Sequence, residues 1–354
     1  LAWILSGDQV DAADQTNMET NHSPSMPAPE TLSQLDVGIC EVAILRAALE
    51  LEVWAKVAAG GNSVDLLAAA EHWNPLGTRM LLDDLCKLRL LAREGGQYRL
   101  VPEAEHYLLP NKPTYRGRAL LANLCWESGG RLAEAIRTGR RPVGFDATTA
   151  EAVDIWIGTY SDNWAAPDTY LKDCDVMWQA LGINGRRGLQ VLDLACGPAP
   201  KSLALALADP GVRVTLLDWE RILQVAHEVA TGLGISKQVT FISGDLINAA
   251  YGDNRYEVAF LGNVTYFFSP EQNICVFRKL HDALADNGTL VLNAIRGEDF
   301  DPVEYGLWFY SVSPGGIYNF EEYKDMLERA GFTNVAVTNI EDLSMQPIKA
   351  TKLP

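Results

Sequence analysis

The sequence lacks any run of roughly 18 apolar residues, so no segment is long enough to cross a bilayer as a helix. It also lacks C-x-x-C pairs. The six cysteines (Cys40, Cys86, Cys125, Cys174, Cys196, Cys275) are scattered, which argues against a disulfide framework and a zinc site and for a reduced, cytoplasmic protein. Basic residues are scarce: 29 Lys and Arg face 46 Asp and Glu, for a formal net charge of −17. That balance repels phosphate backbones, so nucleic acid is not an expected partner. No D-x-D-x-D-G loop offers calcium a site, which leaves solubility or a salty habitat as the account of the acidity. The opening LAWIL is too short for a secretory apolar region, has no basic flank, and reads as the cut end of a longer reading frame.

What is present is an ordinary globular balance, 48% hydrophobic and 21% charged, over 354 residues, enough for two domains. Residues 1–37, rich in Asp, Asn, Ser, Thr and Pro, read as a flexible leader. ICEVAILRAALELEVWAKVAAGG has helical spacing and stops at Gly60-Gly61; SVDLLAAAEHW starts on a serine cap; PLGTRMLLDDLCKLRLLARE is a further helix; GGQYRLVP is a short β-wing. This is the order of a winged helix. Asp83 and Asp84 in the would-be recognition helix speak against DNA, and apolar faces that pack on a second copy are the expected use. Residues 38–158 are therefore expected to form a helical domain.

From residue 159 onward, and clearly after Gly182, β runs alternate with helices (GLQVLDLACG, SLALALA, VRVTLLD, RILQVAHEVATGLG, VTFISGD, YEVAFLGN, TLVLNAI). Such alternation predicts a mostly parallel sheet covered on both faces, with ligands at the carboxyl ends of its strands. Three successive strand ends close on an acid. Asp193 precedes a tight turn of small residues (Ala195, Cys196, Gly197, Ala199) and a helix start, Asp218 follows about 20 residues on at ribose-binding spacing, and Gly244-Asp245 ends the next strand. G-x-G-x-x-G is absent, which weakens a nicotinamide dinucleotide reading.

With VLDLACGPA, LLDWERILQVA, ISGDL, YEVAFLGN and the ending EEYKDMLERAGFTNVAV, residues 38–354 resemble the class I S-adenosyl-L-methionine (SAM) methyltransferases. The resemblance is to the small-molecule O-methyltransferases with an N-terminal winged-helix dimerisation domain, related to plant phenolic and acetylserotonin enzymes. It implies an α/β fold: a Rossmann-like SAM-binding sheet over 159–354, behind an all-helical dimerisation domain. By that resemblance Asp193, Ala195 and Gly197 lie near the methionine part of SAM, Asp218 holds the ribose and Trp219 lies beside the adenine. Gly244, Asp245 and Leu246 flank the adenine's other edges, Asp245 accepting its amine, and Asn263 closes the site. The usual glycine-rich turn reads ACGPA here, and alanine fits at its two glycine positions if those φ angles are negative.

A second departure concerns NVTYFFSPEQ, where Tyr266 stands at the family's histidine base and Phe267 at the acid that follows it. The supporting glutamate of plant members falls near Tyr318. A tyrosine of reference pKa about 10 is a poor base near neutrality. Either the nucleophile needs no deprotonation, or a base such as Asp162 or Asp299 comes from elsewhere, or the fold no longer transfers methyl groups. Tyr160, Trp164, Tyr266, Phe267, Phe268, Trp308, Phe309, Tyr310 and Tyr318 would form an aromatic cage for a sulfonium, each contact worth about 0.5–2 kcal/mol. Arg296 would fix a substrate carboxylate, with a surface role as its alternative. The resulting expectation is a homodimeric methyltransferase acting on a small molecule, best a thioether acid, with O- or C-methylation and a non-methylating SAM binder as alternatives.

Overall fold

In the computed structural model of the protein the described residues are 30–112, 114–121, 125–141, 153, 157, 167–298, 310, 313–341, 343 and 345–354. The N-terminal part opens with α1 (Glu30–Glu50) and α2 (Val53–Ala58). Two sequence expectations change here. The helix begins at Glu30, inside the segment read as leader, because Leu32, Leu35, Ile39 and Val42 repeat at three- and four-residue spacing beneath a polar composition. It also breaks before Gly60: Glu52 takes a left-handed conformation (φ 53°), and the turn that follows buries Val53, Trp54 and Val57. Trp54 Nε1 then donates to the Leu90 carbonyl at 3.0 Å, which holds α2 against the hairpin.

Next come α3 (Val64–Glu71), capped by Ser63, and α4 (Pro75–Lys87), capped by Asn74. The helix stops at Lys87, and residues 91–94, read as its continuation, are a strand. β1 (Leu91–Glu94) and β2 (Gln97–Leu100) form an antiparallel hairpin that turns at Gly95-Gly96, both at positive φ. α5 (Pro102–Tyr107), α6 (Gly117–Leu121), α7 (Cys125–Gly130) and α8 (Leu132–Thr138) complete this part. Asp83, on the expected recognition helix, is committed to the hairpin: it accepts from the Tyr98 hydroxyl at 2.7 Å and pairs with Arg79 and Arg93.

The second part consists of α9 (Pro167–Ala180), β3 (Gln190–Leu194), α10 (Pro200–Ala208), β4 (Arg213–Asp218), α11 (Glu220–Gly232), β5 (Val239–Ser243), β6 (Tyr256–Gly262), α12 (Pro270–Ala283), β7 (Leu284–Asn293), α13 (Phe320–Arg329), β8 (Thr333–Val337) and β9 (Ile348–Thr351). The seven strands lie in the order β5-β4-β3-β6-β7-β9-β8. The first five are parallel, and β9 and β8 add antiparallel pairs at the edge. Alternate residues feed two apolar layers. Val191, Val214, Val258 and Val291 meet α9, α10 and α11, whereas Leu192, Ala259, Leu290 and Leu292 meet α12 and α13. The strand order reverses between β3 and β6, and an open sheet of this kind leaves its binding crevice there.

The Asp83–Tyr98 contact gives a stability test. Tyr98 is buried, and the hydrogen bond it donates holds the Asp83 carboxyl below its ordinary value. A depressed acid contributes stability above its unfolded pKa and loses it as pH falls through the folded value. Tyr98→Phe is expected to lower unfolding free energy by about 1 kcal/mol at pH 7, discounted for the partly exposed carboxylate, and by less near pH 3, checked by urea melts.

Candidate functional site

The carboxyl ends of β3 and β4 are joined by one acid. Asp218 ends β4 almost fully buried; its Oδ2 accepts the Gly197 N–H at 3.0 Å and its Oδ1 the Trp219 N–H at 2.8 Å. The turn after β3 is thereby pinned to β4, and Cys196 N adds a bond to the Leu217 carbonyl at 3.3 Å. To reverse the chain from β3 into α10 this turn uses left-handed backbone at Ala195 (φ 50°), Gly197 (φ 55°) and Ala199 (φ 55°). The condition of negative φ at the two alanines is therefore not met. An L residue in that region gives up about 1–2 kcal/mol, which the two carboxylate-anchored bonds and the burial of Ala199 offset.

Asp193 lies one residue before the end of β3, buried on the α9–α10 face. Its Oδ2 accepts from the Ser202 hydroxyl at 2.5 Å, and its Oδ1 has no hydrogen-bond partner. Burial pushes the Asp193 carboxyl up to about 7, against the Ser202 bond, and the Asp218 carboxyl up to about 6, against its two N–H donors. Burial likewise drives the Cys196 thiol well above its ordinary range, so this cysteine stays a thiol.

Gly244 follows β5 and donates its N–H to the Asp218 carbonyl at 3.1 Å, which sets the third loop against the second. Asp245 turns its carboxylate into its own loop: Oδ1 takes the N–H groups of Ile247 (2.8 Å) and Asn248 (3.0 Å), Oδ2 the Asn248 amide (2.9 Å). Burial works to raise this carboxyl, and those hydrogen bonds outweigh it and hold it below the ordinary value. The Leu246 side chain is buried in the layer that meets α12. Asn263 follows β6 in left-handed conformation (φ 56°), exposed, its N–H donating to the Asn293 carbonyl at 2.8 Å. The helix after it is capped by Ser269 in a capping box with Gln272.

Tyr266 lies in a single helical turn (Thr265–Phe267) and is buried, its ring 4.9 Å from that of Phe267. The segment 313–318 closes over it: the Ser313 hydroxyl donates to the Tyr266 carbonyl at 3.3 Å, and Gly315 approaches so tightly that a Cβ would stand 2.1 Å from that oxygen. The Tyr318 hydroxyl donates to the Phe268 carbonyl at 2.7 Å, its ring stands edge-on to Tyr323, and burial pushes its pKa up to about 12. Below them Asn273 Nδ2 donates to the carbonyls of Thr265 and Phe268. From the N-terminal part Arg141 reaches in, donating to the Ser313 carbonyl at 2.6 Å and lying over the Tyr310 ring at 5.2 Å. Arg296 follows β7 buried, which corrects its surface alternative, and pairs with Glu298 at 3.3 Å.

The expected residues thus fall into two neighbourhoods. Asp193, Ala195, Gly197, Asp218, Trp219, Gly244, Asp245 and Leu246 surround the ends of β3, β4 and β5. Asn263, Tyr266, Arg296 and Tyr318 surround the ends of β6 and β7, where Arg296 bridges to Tyr318. Tyr160, Asp162, Trp164, Asp299, Trp308 and Phe309 lie outside the described residues. Histidine is elsewhere among the described residues: His72 ends α3, His106 is in α5, His227 in α11, and His281 in the last turn of α12 against Phe332. Among the described residues no cluster of His, Cys, Asp and Glu is arranged to hold a metal ion. Ser313 and Arg141 went unread in the sequence because their partners lie 47 and 172 residues away, and Ser202 and Glu298, with partners 9 and 2 residues away, because they repeat no motif.

Residues 186–346 match the family model of a methyltransferase domain. Over most of its length the chain is similar to TcmO of Streptomyces glaucescens, the 8-O-methyl transferase of tetracenomycin polyketide synthesis. The two are 28% identical over 327 residues, which cover 88% of this chain and 94% of the relative. The bacteriochlorophyllide d C-20 methyltransferase of Chlorobaculum tepidum is 21% identical over 332 residues, again 88% and 94%. The fold matches the crystal structure of human N-acetylserotonin methyltransferase in complex with SAM, with a TM-score of 0.71 at 20% identity over 94% of this chain and 99% of that one. With a methyltransferase domain matched on the seven-stranded sheet and methyltransferase relatives along most of its length, the chain is a SAM-dependent methyltransferase, similar to the O-methyltransferase-like group.

Proposed function

We propose that this methyltransferase transfers the SAM methyl group to a small acceptor whose nucleophile needs no proton removed, best the thioether sulfur of a small acid. The observation that supports this most is Tyr266: a buried aromatic ring stands where the resembling O-methyltransferases carry a histidine base, and no described histidine lies at the strand ends. The proposed cofactor residues fit SAM. Asp218 keeps free lone pairs for ribose hydroxyls, the left-handed turn 195–199 brings main chain close, and the unpartnered Asp193 Oδ1 suits a donor on the amino-acid half. SAM supplies an electrophilic methyl on a sulfonium. The chain's part is then to orient the acceptor in line with that methyl and exclude water. Arg296, Tyr266 and Tyr318 are the proposed acceptor-side residues, with Tyr160 and Trp308 expected to join them. The names of TcmO and the C-20 enzyme favour the second reading, methylation of oxygen or carbon in a phenolic or polyketide natural product.

SAM with a labelled methyl, offered with thioether acids, phenols and enols, decides between them. Label on sulfur with a rate nearly flat between about pH 7 and 9 is the expected result, and label on oxygen with a rate rising steeply over that range rejects it. Tyr266→Phe is expected to reduce kcat by less than about tenfold; a loss beyond about 10²-fold makes the phenol a catalytic group.

The buried acids give a pH test. Both carboxyls are raised above their unfolded values, so their contribution to stability is present below about pH 4 and is lost as pH rises through about 6 to 7. A cationic ligand with hydroxyl donors favours the ionised forms. SAM affinity is therefore expected to rise from pH 5.5 to 7.5 with proton release, measured by calorimetry in two buffers. Asp218→Asn should weaken binding by about 1.5–3 kcal/mol at pH 7.5 and flatten the profile.

The N-terminal part is the proposed dimerisation domain. Leu32, Leu35, Ile39 and Val42 stand exposed at coiled-coil spacing along α1, which suits a second copy of the same helix. Ile39→Glu is expected to turn a dimer into a monomer in light-scattering chromatography, and an unchanged mass rejects this seam.

A further inference from the structure

The loop between β5 and β6 is built around a cation from another element. Lys279 projects from the third turn of α12, and its ammonium donates to the carbonyls of Leu246 (3.1 Å), Ile247 (2.9 Å) and Ala249 (2.5 Å). An ammonium has three donors, and the stretch 244–251 of this loop takes all of them. The Tyr251 ring covers the same nitrogen at 4.2 Å from its centroid, and the Tyr251 hydroxyl donates to the Leu246 carbonyl. The other end of the loop is held by the Gly244 N–H on the Asp218 carbonyl and by the Asp245 carboxylate on Ile247 and Asn248. Leu246 is where the two sets of constraints meet: it follows the Asp245 turn, and its carbonyl accepts from both Lys279 and Tyr251.

We infer that Lys279, with Tyr251, is the positioning residue that fixes the loop 244–251 for the adenosyl half of SAM. The inference rests on the reading that Asp245 and Leu246 flank the adenine. Three carbonyls converging on one point repel one another unless a cation neutralises them, so removing the ammonium frees Leu246 from the line that runs through Gly244 to Asp218. Lys279 touches no reacting atom, and its role is to keep affinity for one half of the cofactor, leaving the chemical step alone.

The test is titration calorimetry with two probes, S-adenosylhomocysteine and 5′-methylthioadenosine, the second lacking the amino-acid half. Lys279→Met is expected to raise the Kd of both by the same factor, about tenfold or more, with kcat at saturating SAM within about twofold of wild type. Lys279→Arg, which keeps a multi-donor cation, should recover affinity to within about threefold, and Tyr251→Phe, which loses only the hydroxyl bond, should cost about two- to threefold. Affinity for both probes within about twofold of wild type in Lys279→Met overturns the inference, as does a loss confined to S-adenosylhomocysteine. If Lys279→Met does not fold, the Tyr251→Phe and Lys279→Arg values carry the same decision. Asp218→Asn separates the two levels. Affinity lost there and kept in Lys279→Met rejects only the role of the lysine, whereas affinity kept in both rejects the placement of the adenosyl half.

Discussion

The Asp218 carboxylate and its own carbonyl hold together three loops that the chain makes separately. One oxygen fixes the turn after β3 through Gly197, the other fixes the start of α11 through Trp219, and the carbonyl fixes the loop after β5 through Gly244. Parallel strands only bring their carboxyl ends to one edge. The acid turns that edge into a surface with a fixed shape, because each loop is referred to the same residue. Its burial has a chemical consequence: an acid held in a dry layer at the edge of ionisation responds to a cationic ligand more strongly than an exposed one.

Around Tyr266 the organising contacts run through neutral groups, beside the Arg296–Glu298 pair and Arg141. Thr265, Phe268, Asn273, Ser313, Tyr318 and Tyr323 satisfy one another through hydroxyls, an amide and main-chain carbonyls, and Gly315 lets two segments touch at backbone distance. Tyr266 sits inside that frame. The aromatic run thus fits its surroundings as well as its sequence position. Arg141 extends the frame into the N-terminal part, which makes the acceptor side depend on residues from both halves of the chain.

The sheet was legible because its strands read as apolar runs, three of them closing on an acid, and each of VLDL, VTLLD, ISGD and AFLG falls on a strand end. Helix boundaries were less so. Glu52 breaks a helix with no glycine or proline to announce it, and the reason, the burial of Trp54 under Leu90, lies 36 residues away. The alanines at 195 and 199 look tolerant in sequence, yet their φ values follow from the turn's bonds to β4, which no local pattern reveals. Asp245 was read as a ligand for adenine, and its carboxylate proves occupied by its own turn, a local preference of Asp that competes with any binding role.

The proposed acceptor rests on asking where a proton would go. Asp193 and Asp218, at about 7 and 6, are the described groups at these strand ends with basicity near neutrality, but both lie on the cofactor side and already accept from Ser202, Gly197 and Trp219. On the other side Tyr318, raised to about 12, donates to a main-chain carbonyl, and burial raises Tyr323 as well. A group pushed that far up is a poor proton acceptor at pH 7 and keeps its hydrogen. A described carboxylate on that side, Glu298, already accepts from Arg296 and from the Phe320 N–H, so a hydroxyl nucleophile would have to shed its proton to a group already engaged. A thioether or an electron-rich carbon attacks with an electron pair it already has. The aromatic surroundings that serve a base poorly serve this attack well, since ring faces tolerate the positive charge that passes from one sulfur to the next.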